Sequence, residues 1–213
     1  MTKKIAIIDY SLGNLFSVQQ AFKQCDAETF VTDNPNEILS ADALVLPGVG
    51  AFAEAMDKLT HYKLDIVIKD SINQGKPFLG ICLGMQLLFS QSEEFGATKG
   101  LGIIEGEIKK FKTINPDLKL HVPQVGWNTI NYSQGNNWKD TILNGISEGE
   151  YMYFVHSYYA VPKFIENSLC TTTYGGIDYC SAVIKNNITA TQFHPEKSGE
   201  KGLLIYKNWL KKI

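Results

Sequence analysis

The side chain best placed to do chemistry is Cys82, in Gly80-Ile81-Cys82-Leu83-Gly84. This has the form G-x-nucleophile-x-G, in which small residues allow a sharp strand-to-helix turn that presents the central side chain on a strained backbone. A helix starting at that corner would aim free N–H groups and its positive dipole end at the sulfur, favouring thiolate. The competing reading is a buried packing cysteine, one of the most buried residue types. Cys25, Cys170 and Cys180 have no such framing and are read as packing residues.

A thiolate nucleophile needs a base, and the base needs an orienting group. Gln192-Phe193-His194-Pro195-Glu196 offers both. His194 ends an expected strand, and the proline fixes a turn that lets Glu196 reach back to one ring nitrogen while the other faces the sulfur. His61 in a surface-like helix, His121 in a loop and His156 inside a strand read as structural or solvated. Pro47-Gly48-Val49-Gly50-Ala51-Phe52 follows the third expected strand. Gly48, Gly50 and Ala53 fit G-x-G-x-x-A, but a dinucleotide site would follow the first strand and need an acidic residue at a strand end about twenty residues on; Asp70 lies in a helical stretch. The loop reads better as a source of backbone N–H groups, since glycine visits φ > 0 at little cost. Gly48, Val49 and Gly50, with the N–H of Leu83, would form an oxyanion hole for attack on an acyl carbon.

The elements that must hold these groups alternate through the first half. Strand-like KIAIIDY (4–10), AETFVTD (27–33), ALVLPG (43–48) and PFLGIC (77–82) are separated by helical stretches. Those stretches are Leu15 to Lys23, a short one after Pro35, a long one near 52–74, and a run from Met85 to Phe89. Short apolar strands alternating with helices imply an α/β fold: an open, mostly parallel mixed sheet with helices on both faces. In such sheets sites gather at the C-terminal strand ends. The second half turns β-rich: 101–130 is irregular, then come YMYFVHSYY (151–159), SLCTTTY (168–174) and SAVIKNNITATQFH (181–194), the last with a hairpin turn at Asn186-Asn187. These add antiparallel strands, and an amphipathic helix with Ser198 as its cap ends the chain. With no linker or repeat, residues 1–213 read as one domain.

Composition narrows the classes. The chain has 213 residues and a formal charge of −2, so nothing global points to nucleic acid or a membrane surface. The first apolar run stops at Asp9, too short for a signal peptide, and no segment approaches the ~20 apolar residues of a membrane helix. Four widely spaced cysteines with no C-x-x-C and no zinc spacing suggest reduced thiols in a cytoplasmic protein, with no metal or cofactor expected. All 20 basic residues are lysine. Codon usage explains that simply, but it leaves no guanidinium fork for a phosphate, and there is no G-x-x-x-x-G-K-[ST] loop. A phosphorylated substrate would then be held by another protein.

Together the elbow cysteine, the H-P-E and the glycine loop resemble the class I (triad) glutamine amidotransferases along essentially the whole chain, and so imply a flavodoxin-like three-layer sheet. The resemblance implies that Cys82 is the nucleophile, His194 the general base and acid, and Glu196 its orienter, with glutamine recognised by Gln86, Glu94 and the Ser157-Tyr158 backbone. IDYSLGNLFSV (8–18), PGVGAF (47–52), CLGMQLLF (82–89), VGWN (125–128), YFVHSYY (153–159) and FHPEKSG (193–199) are most similar to glutaminase subunits of imidazole glycerol phosphate synthase. Met85 separates these from chorismate-pathway glutaminases, which usually carry His there. Ser11 departs from the family's glycine, which implies a local backbone change. That resemblance implies a heterodimer with a (β/α)₈-barrel cyclase that uses the ammonia to make imidazole glycerol phosphate and AICAR in histidine biosynthesis, with Asn14, Trp127, Asn128, Tyr153 and Lys197 near the interface. The alternatives are a glutaminase serving a chorismate-using or activated-sugar acceptor, a related cysteine hydrolase, or a non-catalytic binding module.

Overall fold

A computed structural model describes residues 3–112, 120–133 and 137–213. Its first half runs β1 (Ile5–Ile8), α1 (Leu15–Gln24), β2 (Thr29–Thr32), α2 (Pro35–Ser40), β3 (Ala43–Gly48), α3 (Phe52–His61), α4 (Leu64–Asn73), β4 (Phe78–Cys82) and α5 (Leu83–Gln86). The rest is β5 (Phe89–Ser92), β6 (Thr98–Lys99), β7 (Ile104–Lys110), β8 (Gln124–Tyr132), β9 (Glu150–His156), β10 (Tyr158–Pro162), β11 (Ser168–Tyr174), β12 (Ile177–Lys185), β13 (Ile188–Thr191) and α6 (Gly199–Leu210).

The sheet runs β2-β1-β3-β4-β13-β12-β10-β7-β5-β6, with β11, β8 and β9 branching from β12. β2 through β13 on this path are parallel, and so is the β5–β7 pair; the other pairings are antiparallel. Every residue of β1, β3, β4 and β13 is buried, as expected of strands covered on both faces. The two-residue strand period divides the core into layers. Ala6, Ile8, Leu44 and Leu46 pack with α2, α3 and α4 through Ile38, Leu59 and Ile68. Ile5, Ile7, Ala43 and Val45 pack on the other face with α1 and α6 through Val18, Phe22, Ile205 and Trp209. There Phe22 meets Tyr206 and Trp209 edge-on at 4.7 and 5.7 Å. Asn14 starts α1 by accepting the Ser17 N–H.

The expected α/β class and most element positions hold, with five local differences. Two of them are near the site: the 151–159 stretch divides at Ser157 into β9 and β10, and β13 ends at Thr191, so His194 lies three residues past the strand it was expected to end. The 52–74 stretch is two helices, parted at Lys63, which takes φ 58° although no glycine or proline marks the break. The helix expected from Met85 to Phe89 is instead the single turn of α5, because the N–H groups of Leu101, Ile103 and Ile104 take the Leu87 and Leu88 carbonyls and draw Phe89 into β5. Ser198 precedes α6 but does not cap it with its side chain; its hydroxyl donates to the His194 carbonyl at 2.7 Å and accepts the Tyr153 N–H at 3.0 Å. The Asn186-Asn187 hairpin forms as expected, with Asn186 at φ 53° and Lys185 facing Ile188. Among the described residues no helix is long and apolar enough to cross a membrane.

Candidate active site

Three parallel strand ends lie side by side. Gly48 at the end of β3 pairs with Cys82 at the end of β4, and on the other side Ile81 pairs with Thr191 of β13. Cys82 takes φ 55° and ψ −110°, a region that L side chains rarely adopt. The corner is therefore made by the cysteine itself, and its glycines serve a different need. A Cβ on Gly84 would lie 1.8 Å from the Leu46 carbonyl oxygen, and one on Gly80 2.9 Å from the Ala190 Cβ and from the Gly84 oxygen. The glycines let the backbone of α5 sit directly on β3 and β4. As α5 is one turn long, its dipole is short, and the presentation of Cys82 rests on this packing.

Cys82 lines a cleft of about 260 Å³ together with Val49, Gly50, Leu83, Gln86 and Glu94, and with Ser157 and Tyr158 across from them. That is the scale of one small metabolite. Val155 and His156 complete the wall on the β9 side. Gly48 is buried just behind, its Cα backed by the Tyr10 hydroxyl, which a Cβ there would meet at 2.0 Å. Among the described residues this hydroxyl has no hydrogen-bond partner, and burial, then the Cys82 charge, push its pKa up.

His194 lies behind the sulfur and is 2% exposed. Its Nδ1 is 2.7 Å from Glu196 Oε1, and both side chains are almost wholly enclosed. The pKa of His194 is pushed up to about 10: burial pulls it down, but the nearby Cys82 charge and then Glu196 outweigh that. Glu196 occupies Nδ1, so Nε2 is the nitrogen left to the Cys82 side, and interaction with that side chain adds to the upward shift. The loop carrying His194 is tied to β9: the His194 N–H donates to the Tyr153 carbonyl at 2.9 Å.

Some contacts were not legible in the sequence. Gln192, fully buried, places its Nε2 3.7 Å from the Cys82 sulfur. Its signal was its place two residues before His194. His156, read as structural, holds the wall of the cleft by its Nδ1 at 2.8 Å from the Tyr158 carbonyl, and burial lowers its pKa to about 4. Glu94 accepts the Phe52 N–H at 2.6 Å and so holds the start of α3, just beyond the glycine loop. Ser11 takes φ 65°, the left-handed conformation that glycine adopts most readily, and its N–H is held by Asp9 Oδ1 at 2.8 Å.

Trp127 and Tyr153 pair edge-on across β8 and β9 with centroids 6.0 Å apart, and the Lys197 ammonium lies 5.6 Å from the centre of the Tyr153 ring. Trp127 is 56% exposed. Asn128 bonds the Thr173 carbonyl with its Nδ2 and the Thr129 N–H with its Oδ1, so its amide is occupied within the chain.

Residues 6–213 match the family described as glutamine amidotransferase class-I. The imidazole glycerol phosphate synthase subunit HisH 1 of Legionella pneumophila (strain Lens) is 47% identical over 209 residues, 97% of this chain and 98% of that protein. The HisH subunit of Methanosarcina acetivorans is also 47% identical, over 98% of both chains. In fold the chain is similar to PurLQS of Thermotoga maritima, with a TM-score of 0.69 and 19% identity over 99% of each chain. A match over nearly the full length, at that identity, places the chain among the class I glutamine amidotransferases and, within them, in the HisH family of imidazole glycerol phosphate synthase glutaminase subunits.

Proposed function

We propose that Cys82, His194 and Glu196 carry out the glutaminase reaction and that its ammonia passes to a separate cyclase subunit. His194 Nε2 takes the proton of the Cys82 thiol, and the sulfur attacks the side-chain amide carbon of L-glutamine. The oxyanion that forms is held by the Leu83 N–H and by a donor from Gly48, Val49 or Gly50; one such donor is typically worth about 10²–10³ in rate. His194 then gives its proton to the amide nitrogen, which leaves as ammonia. Water attacks the glutamyl thioester with His194 as base, the sulfur leaves with the C–S electron pair, and glutamate is released. Glu196 holds the imidazole in the Nδ1–H tautomer throughout. The backbone at Ser157-Tyr158, with Gln86 and Glu94, grips the glutamine.

The observation that carries this reading is the strained Cys82 at the end of β4 with a carboxylate-bonded imidazole behind it. Ammonia in neutral water is mostly protonated, so it must reach its acceptor by a shielded path. The chain has no arginine and no phosphate loop, which favours an acceptor site on the partner. The partner is the (β/α)₈-barrel cyclase that makes imidazole glycerol phosphate and AICAR, docked on the surface of Trp127 and Tyr153 with Asn14, Asn128 and Lys197 around it, in the cytoplasm. Aromatic anchors of this type suit a stable interface of about 1,200–2,000 Å².

The test is mass spectrometry after treatment with a glutamine-derived electrophile, with and without the cyclase and its acceptor ligand. We expect covalent mass on Cys82 and glutamine turnover that rises by orders of magnitude with both, because the glycine-loop donor turns inward only in the complex. A label on another cysteine rejects the nucleophile, and turnover unchanged by the cyclase rejects the partner and its control.

A further inference from the structure

Beyond the three residues of the proposed chemistry, two buried amides reach from the substrate wall to the sulfur. Gln86, on α5, has its Nε2 3.0 Å from the Tyr158 carbonyl and 2.8 Å from Gln192 Oε1. Gln192 follows β13 and its Nε2 lies 3.7 Å from Cys82 Sγ. Their polarity follows from what each partner is able to do. The Tyr158 carbonyl only accepts, so the Gln86 atom facing it is the NH₂. That same nitrogen faces Gln192 and must meet an acceptor there, so Gln192 turns its oxygen to Gln86 and its NH₂ to the sulfur. Every donor in the row points toward the carbonyl, the second amide or Cys82. Both side chains are buried, so no water competes for these groups.

We propose that Gln192 is a catalytic residue that donates a hydrogen bond to the Cys82 sulfur and, through Gln86, ties that sulfur to the Tyr158 carbonyl in the substrate wall. The donor serves the sulfur whenever it carries charge. That is the case before attack, and again when the thioester breaks and the sulfur leaves with the C–S electron pair. While the C–S bond stands, the sulfur is neutral and the bond is weak, so the donor favours the charged states at both ends of the thioester's life. This inference rests on the glutaminase reading for its chemistry, but the N–H···S contact is measurable without it.

The experiment compares Gln192→Met and Gln192→Asn with the unsubstituted chain, each assembled with the cyclase and checked for folding by thermal unfolding. Methionine keeps the volume and removes the amide. Asparagine keeps an amide but draws it back from the sulfur by one methylene. The readouts are the pH profile of Cys82 alkylation by iodoacetamide, followed on the Cys82 peptide, and the kcat and KM of glutamine hydrolysis. A hydrogen bond to a charged group predicts that the methionine variant alkylates about tenfold more slowly at neutral pH or worse, with its profile moved to higher pH. Its kcat falls by a similar factor and KM moves little; the asparagine variant shifts the same way by less. A Gln192 that only filled polar space would lower the unfolding temperature and leave the alkylation profile in place. A folded variant of either kind with the unsubstituted profile overturns the proposal. Failure of a glutamine-derived electrophile to label Cys82 in the unsubstituted chain would instead overturn the glutaminase reading, and the alkylation profiles would still decide whether Gln192 serves the sulfur.

Discussion

Gly84→Ala tests the packing account of the Cys82 corner most directly. The added methyl would sit 1.8 Å from the Leu46 carbonyl oxygen and 2.8 Å from its carbon, where real Cβ contacts essentially never fall below 3.0 Å. The oxygen belongs to β3, whose Leu46 pairs with Gly80 of β4, so it has no freedom to swing aside. The α5 turn must therefore lift off β3 by about 1.2 Å, the difference between those two distances. Overpacking of this kind costs about 1–3 kcal/mol of stability. The functional cost is larger, because Cys82 and the Leu83 N–H ride on the turn that moves, and misplacement of about 1 Å lowers a rate by about 10².

Urea unfolding and glutamine turnover of the assembled enzyme separate the two effects. We expect a folded variant with a lowered midpoint and turnover down about a hundredfold or more. Gly80→Ala, whose methyl would stand 2.9 Å from its nearest neighbours, should follow the same course more mildly. An alanine at 84 with unsubstituted stability and rate would refute the close approach of α5 to β3 and the reasoning built on it.

Other substitutions test the roles assigned to single groups. Cys82→Ser should abolish glutamine-dependent synthesis while synthesis from added ammonium salt by the partner stays intact, read in a paired product assay. Glu196→Gln keeps an acceptor for the His194 Nδ1–H but removes the charge behind the 2.7 Å contact, so kcat should fall about tenfold to hundredfold. In the same variant, pH titration of His194 by NMR should show it losing its proton below the present value of about 10. His156 makes a stability prediction with a definite sign. Its pKa falls from 6.5 to about 4 on folding, so between those values the unfolded chain binds a proton that the folded chain refuses. That share of stability is complete above pH 6.5 and is lost as pH falls through 4, about 3 kcal/mol in all. His156→Gln should flatten urea midpoints over that window, and an unchanged slope would count against it.

How much of this was legible in the sequence varied with how local the cause was. The parallel half was readable because β1, β3 and β4 are short apolar runs closed by chain punctuation. The segments of the candidate site were readable because G-x-C-x-G and H-P-E each carry a recognisable local pattern, and the parallel strand ends bring those segments side by side. What escaped depends on neighbours distant in the chain. The 52–74 stretch breaks at a lysine that no propensity marks, and Phe89 becomes strand because backbone groups near residue 103 claim the preceding carbonyls. The glycines of the elbow were visible, but the reason for them was not. The strained φ belongs to Cys82, and the glycines answer to Leu46 and Ala190, whose contacts exist only in the folded sheet. Gln192 and Gln86 lie 106 residues apart, and nothing in either local pattern announces that their amides meet.

The order of the strands explains why these groups come from both ends of the chain. Parallel pairing points successive strand ends the same way, so β3, β4 and β13 deliver the glycine loop, the thiol and the histidine segment to one edge. An antiparallel β13, four residues long, would carry His194 to the opposite end of the strands, away from the sulfur. The hairpin at Asn186-Asn187 makes the correct direction possible, because it reverses the chain between β12 and β13 just before the site. The strain at Cys82, of order 1–3 kcal/mol for such a conformation, is held by the paired strands on either side of it and by α5 pressed on β3. The proposed base is held differently. His194 hangs from the Tyr153 carbonyl and, through Ser198, from the Tyr153 N–H. Its position therefore depends on β9, the strand whose half-buried Tyr153 packs against the exposed Trp127 of β8, whereas the position of the sulfur depends on the buried sheet.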